Sequence, residues 1–164
     1  MQISAASAMW FLPFVAPICF FVIFNDLREM RITNKTILLL TGVFVVVGLF
    51  ALPFEEYLWR LAQFTIVLLI GIVLHGAGAM GGGGAKFLAA AAPFIALGDQ
   101  LTLGKIFCAC LLAAVVTQRI AKHTGLRRLA PDWVNWDQTR LFPMGMALGG
   151  TLAMYLGLGA FFGS

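Results

Sequence analysis

The 164-residue chain has seven carboxylates, and their positions sort them. Glu55, Glu56 and Asp99 fall between apolar runs. Asp132 and Asp137 lie in a longer polar stretch with Trp133 and Trp136, while Asp26 and Glu29 follow the first apolar run. Only Asp26 sits directly against the end of a hydrophobic helix. An ionisable group at such depth is costly unless it faces a protein interior or a water-filled cavity, which makes Asp26 a functional candidate. The plainer reading is a carboxylate that stops the helix at an interface, with Arg28 or Arg31 as its partner. The second unusual segment is Gly81-Gly82-Gly83-Gly84-Ala85-Lys86. Backbone without side chains permits unwinding and close approach of another chain, tolerated within a membrane only where protein or water satisfies the freed N–H and C=O groups. Packing of Gly78 and Gly82 as a small-xxx-small pair is the plainer reading of these glycines. For Lys86 it is snorkelling to the interface.

Other chemistry is weakly signalled. A phosphate-binding loop needs Gly before its Lys and Ser or Thr after it, and Ala85 and Phe87 occupy those places. Cys19, Cys108 and Cys110 lie in apolar runs without the two-to-four-residue spacing of zinc sites, so they read as packing residues. His75 and His123 have no second ligand at coordinating spacing, and no metal is expected.

The elements that must position these residues follow from composition. Lys, Arg, Asp and Glu make up 11% of the chain and hydrophobic residues 61%, with a mean hydropathy of +0.95. A soluble domain carries about a quarter charged residues. So few charges cannot cover the surface of a soluble fold, and they exclude disordered and nucleic-acid-binding classes despite the net charge of +4. Apolar runs at 8–24, 37–54, 57–75, 77–98, 104–121 and 143–162 match the roughly 20 residues that cross about 30 Å of hydrocarbon. The expected fold is all-α, a single membrane domain over residues 1–164 with six transmembrane helices. The fourth run is the weakest, because each Gly costs about 1 kcal/mol relative to Ala in a helix; its dependable helix is expected to begin near Lys86.

Lys and Arg set the orientation. Arg28, Arg31, Lys35, Lys86, Arg119, Lys122, Arg127, Arg128 and Arg140 fall on one side of a six-span plan, and only Arg60 and Lys105 on the other. The positive-inside rule then makes the three basic loops cytoplasmic and both termini extracytoplasmic. No Lys or Arg precedes Arg28, so the first run reads as a retained helix rather than a signal peptide. Trp133 and Trp136 suggest that the stretch from Lys122 to Arg140 lies at the headgroup level. On this plan Asp26 and the glycine run share one side and a similar depth, which suggests one site.

At these residues the chain resembles the type IV prepilin peptidases. Phe24-Asn25-Asp26, followed by Ile32-Thr33-Asn34, is similar to the family's first aspartate segment, in which Ile-Pro-Asn follows at this distance. Gly81 to Lys86 resembles its Gly-x-Gly-Asp-x-Lys segment, and Leu141-Phe142-Pro143-Met144-Gly145-Met146-Ala147 its Pro-x-Gly-x-Ala at the last helix. Size and the lack of a cytoplasmic insert are similar to the small branch serving Tad/Flp-type pili. Thr33 stands where the family has Pro, and Gly84 where it has its second catalytic aspartate.

The resemblance implies a multi-pass protein of the bacterial inner membrane and an intramembrane aspartyl endopeptidase. Its substrates would be prepilins or pseudopilins, each with a short basic leader ending in Gly, cut after that Gly on the cytoplasmic side. Two carboxylates facing one water share a proton, one serving as general base and the other as general acid. Asp26 would be one of them, with Gly84 at the vacancy of the other. Gly81, Gly82, Gly83, Lys86 and Asn34 would bind substrate. Asp99, on the opposite face, and Glu29, one turn beyond Asp26, would not reach the vacancy. The chain is therefore expected to bind prepilins and to cleave them poorly or not at all, as an active parent altered at position 84 or a natural non-cleaving relative. The intact surroundings of the vacancy favour the altered parent. A non-catalytic scaffold or chaperone for pilin-like proteins is the alternative; a transporter is disfavoured by the absence of a visible inverted repeat. Nothing resembles the paired CxxC domain of larger relatives, so neither S-adenosylmethionine nor zinc is expected, and no cofactor.

Overall fold

A computed structural model describes residues 1–29, 31–78, 81–123 and 144–163. The stretch with Trp133 and Trp136, and the segment 141–143 before the last helix, lie outside the described residues. Among the described residues six α-helices follow in order: α1 Ala5–Glu29, α2 Asn34–Ala51, α3 Phe54–Gly76, α4 Gly82–Ala91, α5 Gln100–His123 and α6 Met144–Phe162. Five of them, all but α4, are long and apolar enough to cross a membrane. Their outward faces carry large apolar side chains such as Phe20, Phe50, Val73, Leu101 and Phe161, as lipid-facing surfaces do.

The ends of these helices have local causes. Thr33 is extended and precedes the first turn of α2. Pro53 disfavours helix in the residue before it and opens α3, whose first turn carries Glu55 and Glu56 at the positive end of the helix dipole. After α3 the chain turns through Gly78 at φ +73°, a left-handed conformation suited to glycine. Gly78 is thus outside any helix, which removes the Gly78/Gly82 packing pair considered from the sequence. Close packing through small residues occurs instead on α6, where a Cβ on Gly149 would lie 3.1 Å from Ile23 Cγ1 and 3.2 Å from the Cys19 carbonyl of α1.

The fourth apolar run is the main departure from six similar helices. Its α-helix is 10 residues long, about 15 Å at 1.5 Å per residue and half of a bilayer core. It starts at Gly82, four residues before Lys86. Two 3₁₀ turns follow, Ala92–Phe94 and Leu97–Asp99, because Pro93 cannot continue the α-helical hydrogen bonds. Ala85, Phe87 and Ala89 to Ala92 are all buried, so α4 is an interior helix, apolar on most of its surface. A cluster of rings closes over this region: Phe94 meets Phe11 of α1 and Phe44 of α2 edge-on at 5.0 and 5.4 Å, and Phe44 stacks on Tyr57 of α3 at 5.5 Å.

Irregular backbone inside such a bundle needs polar partners. Arg60 of α3, only 3% exposed, donates to the Pro93 carbonyl at 3.0 Å and pairs with Glu56 at 2.6 Å. The Ala96 N–H donates to the Tyr155 hydroxyl of α6 at 3.0 Å, and that hydroxyl donates to Asp99 at 2.9 Å. Asp99 also accepts the backbone N–H groups of Gln2 and Ile3 at 2.8 to 3.1 Å. Asp99 and Arg60, assigned from the sequence to the outer connections, are therefore buried structural residues. Asp99→Ala would orphan these donors, and even one of them costs about 1–3 kcal/mol. The variant is expected to melt well below the parent in detergent, with Tyr155→Phe falling between the two.

Candidate active site

The C-terminal end of α1 and the N-terminal ends of α2, α4 and α6 come together at the other end of the bundle. α1 runs through Glu29, so Asp26 lies within its last turns rather than after it. Asn25 Nδ2 donates to the Arg31 carbonyl at 2.8 Å and folds the chain back toward α2. The Thr33 and Thr36 hydroxyls share a hydrogen bond. Thr33 has φ −75°, inside the range that proline imposes, so it takes the backbone a proline would take there.

Asp26 is 5% exposed. Its Oδ2 accepts the backbone N–H of Gly145 at 2.8 Å and of Met146 at 3.3 Å. The first N–H groups of a helix have no intrahelical partner and sit at the positive end of its dipole, so the first turn of α6 forms a cradle for a carboxylate. Neither Arg28 nor Arg31 pairs with Asp26 among the described residues, so the expectation of Arg28 or Arg31 as its partner is replaced by the backbone of α6. The cradle depends on a missing side chain: a Cβ on Gly145 would stand 2.8 to 2.9 Å from Asp26 Cγ, Cβ and Oδ2.

The glycine run supplies the opposing element. Gly81 is the extended residue before α4, and Gly82, Gly83 and Gly84 form its first turn, with Gly84 buried. A Cβ on Gly83 would lie 3.4 Å from Ile32 Cβ, and one on Gly82 would lie 3.3 Å from the His75 ring at the end of α3. Lys86 Nζ donates to Asn34 Oδ1 at 3.3 Å. The structure thus brings Lys86 and Asn34 together directly. It sets Gly83 against the connection that follows Asp26. The buried carboxylates among the described residues are Asp26 and Asp99; Asp99 belongs to the Tyr155 network, ten residues or about 15 Å further along α6. No group of three potential metal ligands occurs among the described residues.

The residue that sequence reasoning missed is Gly145. It appears in the sequence within Pro143-Met144-Gly145, but its role comes from a backbone N–H, which side-chain types do not advertise.

Several membrane-spanning helices around one buried, helix-capped carboxylate make this a multi-pass membrane protein with a candidate hydrolytic centre. A model of the type IV leader peptidase family matches residues 13–118, a span that includes Asp26, Asn34 and the glycine run. The chain belongs to the type IV leader peptidase family, a family of proteases. No curated protein and no solved structure gives a significant match to it.

Proposed function

We propose that the chain is a prepilin peptidase of the small Tad/Flp-type branch in the bacterial inner membrane, built as an aspartyl endopeptidase. With Gly84 at the place of the second aspartate, it binds prepilins and leaves them uncut or nearly so. The observation that supports this reading is the placement of Asp26: buried, held by the first turn of α6, beside the connection against which Gly83 packs. With Oδ2 fixed by two N–H groups, Oδ1 remains for the attacking water. Asp26 would take a proton from that water and pass it to the leaving amine, while a second acid at position 84 would protonate the developing oxyanion and recover the proton from that hydroxyl as the C–N bond breaks. Glycine supplies none of this. The Lys86–Asn34 pair would hold the leader backbone at the mouth of the site.

The substrate's hydrophobic helix needs a path beside the bundle. A groove of about 390 Å³ lies between α4, α5 and α6, lined by Phe87, Leu103, Phe107, Leu148 and Leu152 and reaching Met144, next to Gly145. Gly104 also lines it, and a Cβ there meets no atom within 4 Å. In a form made active at position 84, Gly104→Phe is expected to lower leader removal at least about tenfold, roughly 1.4 kcal/mol of lost binding, without moving the melting midpoint.

The test of binding uses the chain as it stands. Co-expressed with cognate prepilins, it should copurify with a precursor whose leader is intact on a gel, and Lys86→Ala should weaken that retention. A precursor that never copurifies would remove the reading. The alternative of a scaffold for pilin-like proteins is favoured by the absence of a second buried carboxylate at this end among the described residues. It predicts the same copurification but no gain of cleavage from any acid at position 84.

A further inference from the structure

Lys35, in the first turn of α2, stands at the mouth of a second groove on the opposite side of α1 from α6. This groove, about 510 Å³, is lined on α1 by Pro13, Phe14, Pro17 and Phe21 and on α2 by Leu39 and Val43. Pro13 and Pro17 are one turn apart on the same face of α1, and their compact rings leave that face concave between Phe14 and Phe21. From Phe21 to Pro13, and from Lys35 to Val43, the lining runs eight residues on each helix, about 12 Å along the bundle. Its walls are almost wholly apolar, and Phe14, Phe21 and Leu39 remain about half exposed. The end at Lys35 is cationic. Lys35 is exposed and makes no ion pair among the described residues, and Arg28 in the last turn of α1 and Arg31 in the connection to α2 are exposed as well, beside the exposed acid Glu29.

An apolar slot between two helices, ending near the helix terminus at a lysine that has no ion pair among the described residues, has the chemistry of a phospholipid with an anionic headgroup. Chain and headgroup are both needed: the slot alone would take any acyl chain, and the lysine alone any anion. Cationic pockets between helices on the basic face of a membrane protein recognise anionic headgroups, each lysine near the surface adding about a fivefold preference. We propose that the α1–α2 groove is a binding site for one anionic phospholipid, its acyl chain lying against Pro13, Pro17 and Leu39 and its phosphate on Lys35. The site is separate from Asp26, and it holds whether or not the chain cleaves prepilins.

The full chain, purified in a neutral detergent, would be titrated with phosphatidylglycerol or with phosphatidylcholine of the same acyl composition, and bound lipid counted by native mass spectrometry. Phosphatidylglycerol is expected to bind at least about fivefold better, the contribution of one such lysine. Lys35→Gln should abolish that preference while leaving phosphatidylcholine binding unchanged. Leu39→Trp, which fills the slot from a lipid-exposed position, should reduce binding of both lipids. Equal binding of the two lipids by the unmodified chain would overturn the proposal, as would an undiminished preference in Lys35→Gln. Soluble glycerol phosphate displacing the lipid at equal concentration would also overturn it, because the groove would then contribute nothing.

Discussion

Under the proposed function, Gly84→Asp is expected to give a chain that removes prepilin leaders where the parent leaves them in place. Position 84 is the third residue of α4, after the extended Gly81. Acidic side chains are favoured in the first turn of a helix by about 0.3–1 kcal/mol through the helix dipole, and replacing a helical glycine recovers a few tenths more. The substitution therefore suits the local backbone. Its cost is the burial of a second carboxyl, since position 84 is enclosed; the proposed dyad would moderate that cost by sharing one proton between the two carboxyls. A positioned acid or base contributes about 10²- to 10⁴-fold, and a dyad needs both members, so the gain should be read as cleavage against no cleavage on a gel. Asp26→Asn in the same background should return the chain to silence. If Gly84→Asp inserts properly and still leaves every cognate prepilin uncut, the aspartyl mechanism assigned to this chain is wrong and the scaffold reading takes its place.

Gly145→Ala carries the second large effect. The added methyl group would lie at 2.8 to 2.9 Å from three atoms of Asp26, well inside van der Waals contact, and Asp26 is enclosed by packed helices. Overpacking of this kind costs about 1–3 kcal/mol. The relief available is for Asp26 to swing away or for α6 to slide, and either breaks the 2.8 Å bond from the Gly145 N–H. In the Gly84→Asp background, Gly145→Ala should therefore abolish leader removal and lower the melting midpoint. Gly157→Ala gives the comparison: it lies on the same helix and a Cβ there meets nothing within 4 Å, so both properties should hold. Equal activity of the two variants would show that the cradle is not part of the mechanism.

Most of the fold was legible because five apolar runs of the right length each form one helix. The fourth could not be read from hydropathy. The run from 77 to 98 is apolar apart from Lys86, yet Pro93 and the glycines divide it, and its interruption is stable only because Arg60 and Tyr155 arrive from elsewhere in the chain to satisfy it. The burial of Asp99 was missed for the same reason. A short polar connection reads as an outer loop, and nothing local says that Tyr155, 56 residues away, will bond to it. At the candidate site, Asp26, Asn34 and Lys86 were visible as side chains of unusual type or position. The α6 cradle was not, since its donors are backbone N–H groups 119 and 120 residues from Asp26.

The half-length α4 bears on how the protein is made. Ten helical residues do not partition into a bilayer alone, so α4 enters as a passenger of its neighbours and keeps its broken end there only once hydrogen-bonding partners surround it. One partner, Arg60, is synthesised earlier, on α3. The other, Tyr155, comes on α6, the last of the described helices to leave the ribosome, and α6 also delivers the N–H groups that hold Asp26. Closure of the bundle around α4 and completion of the carboxylate cradle therefore both wait for α6, and a chain stalled before α6 would be without its candidate active site.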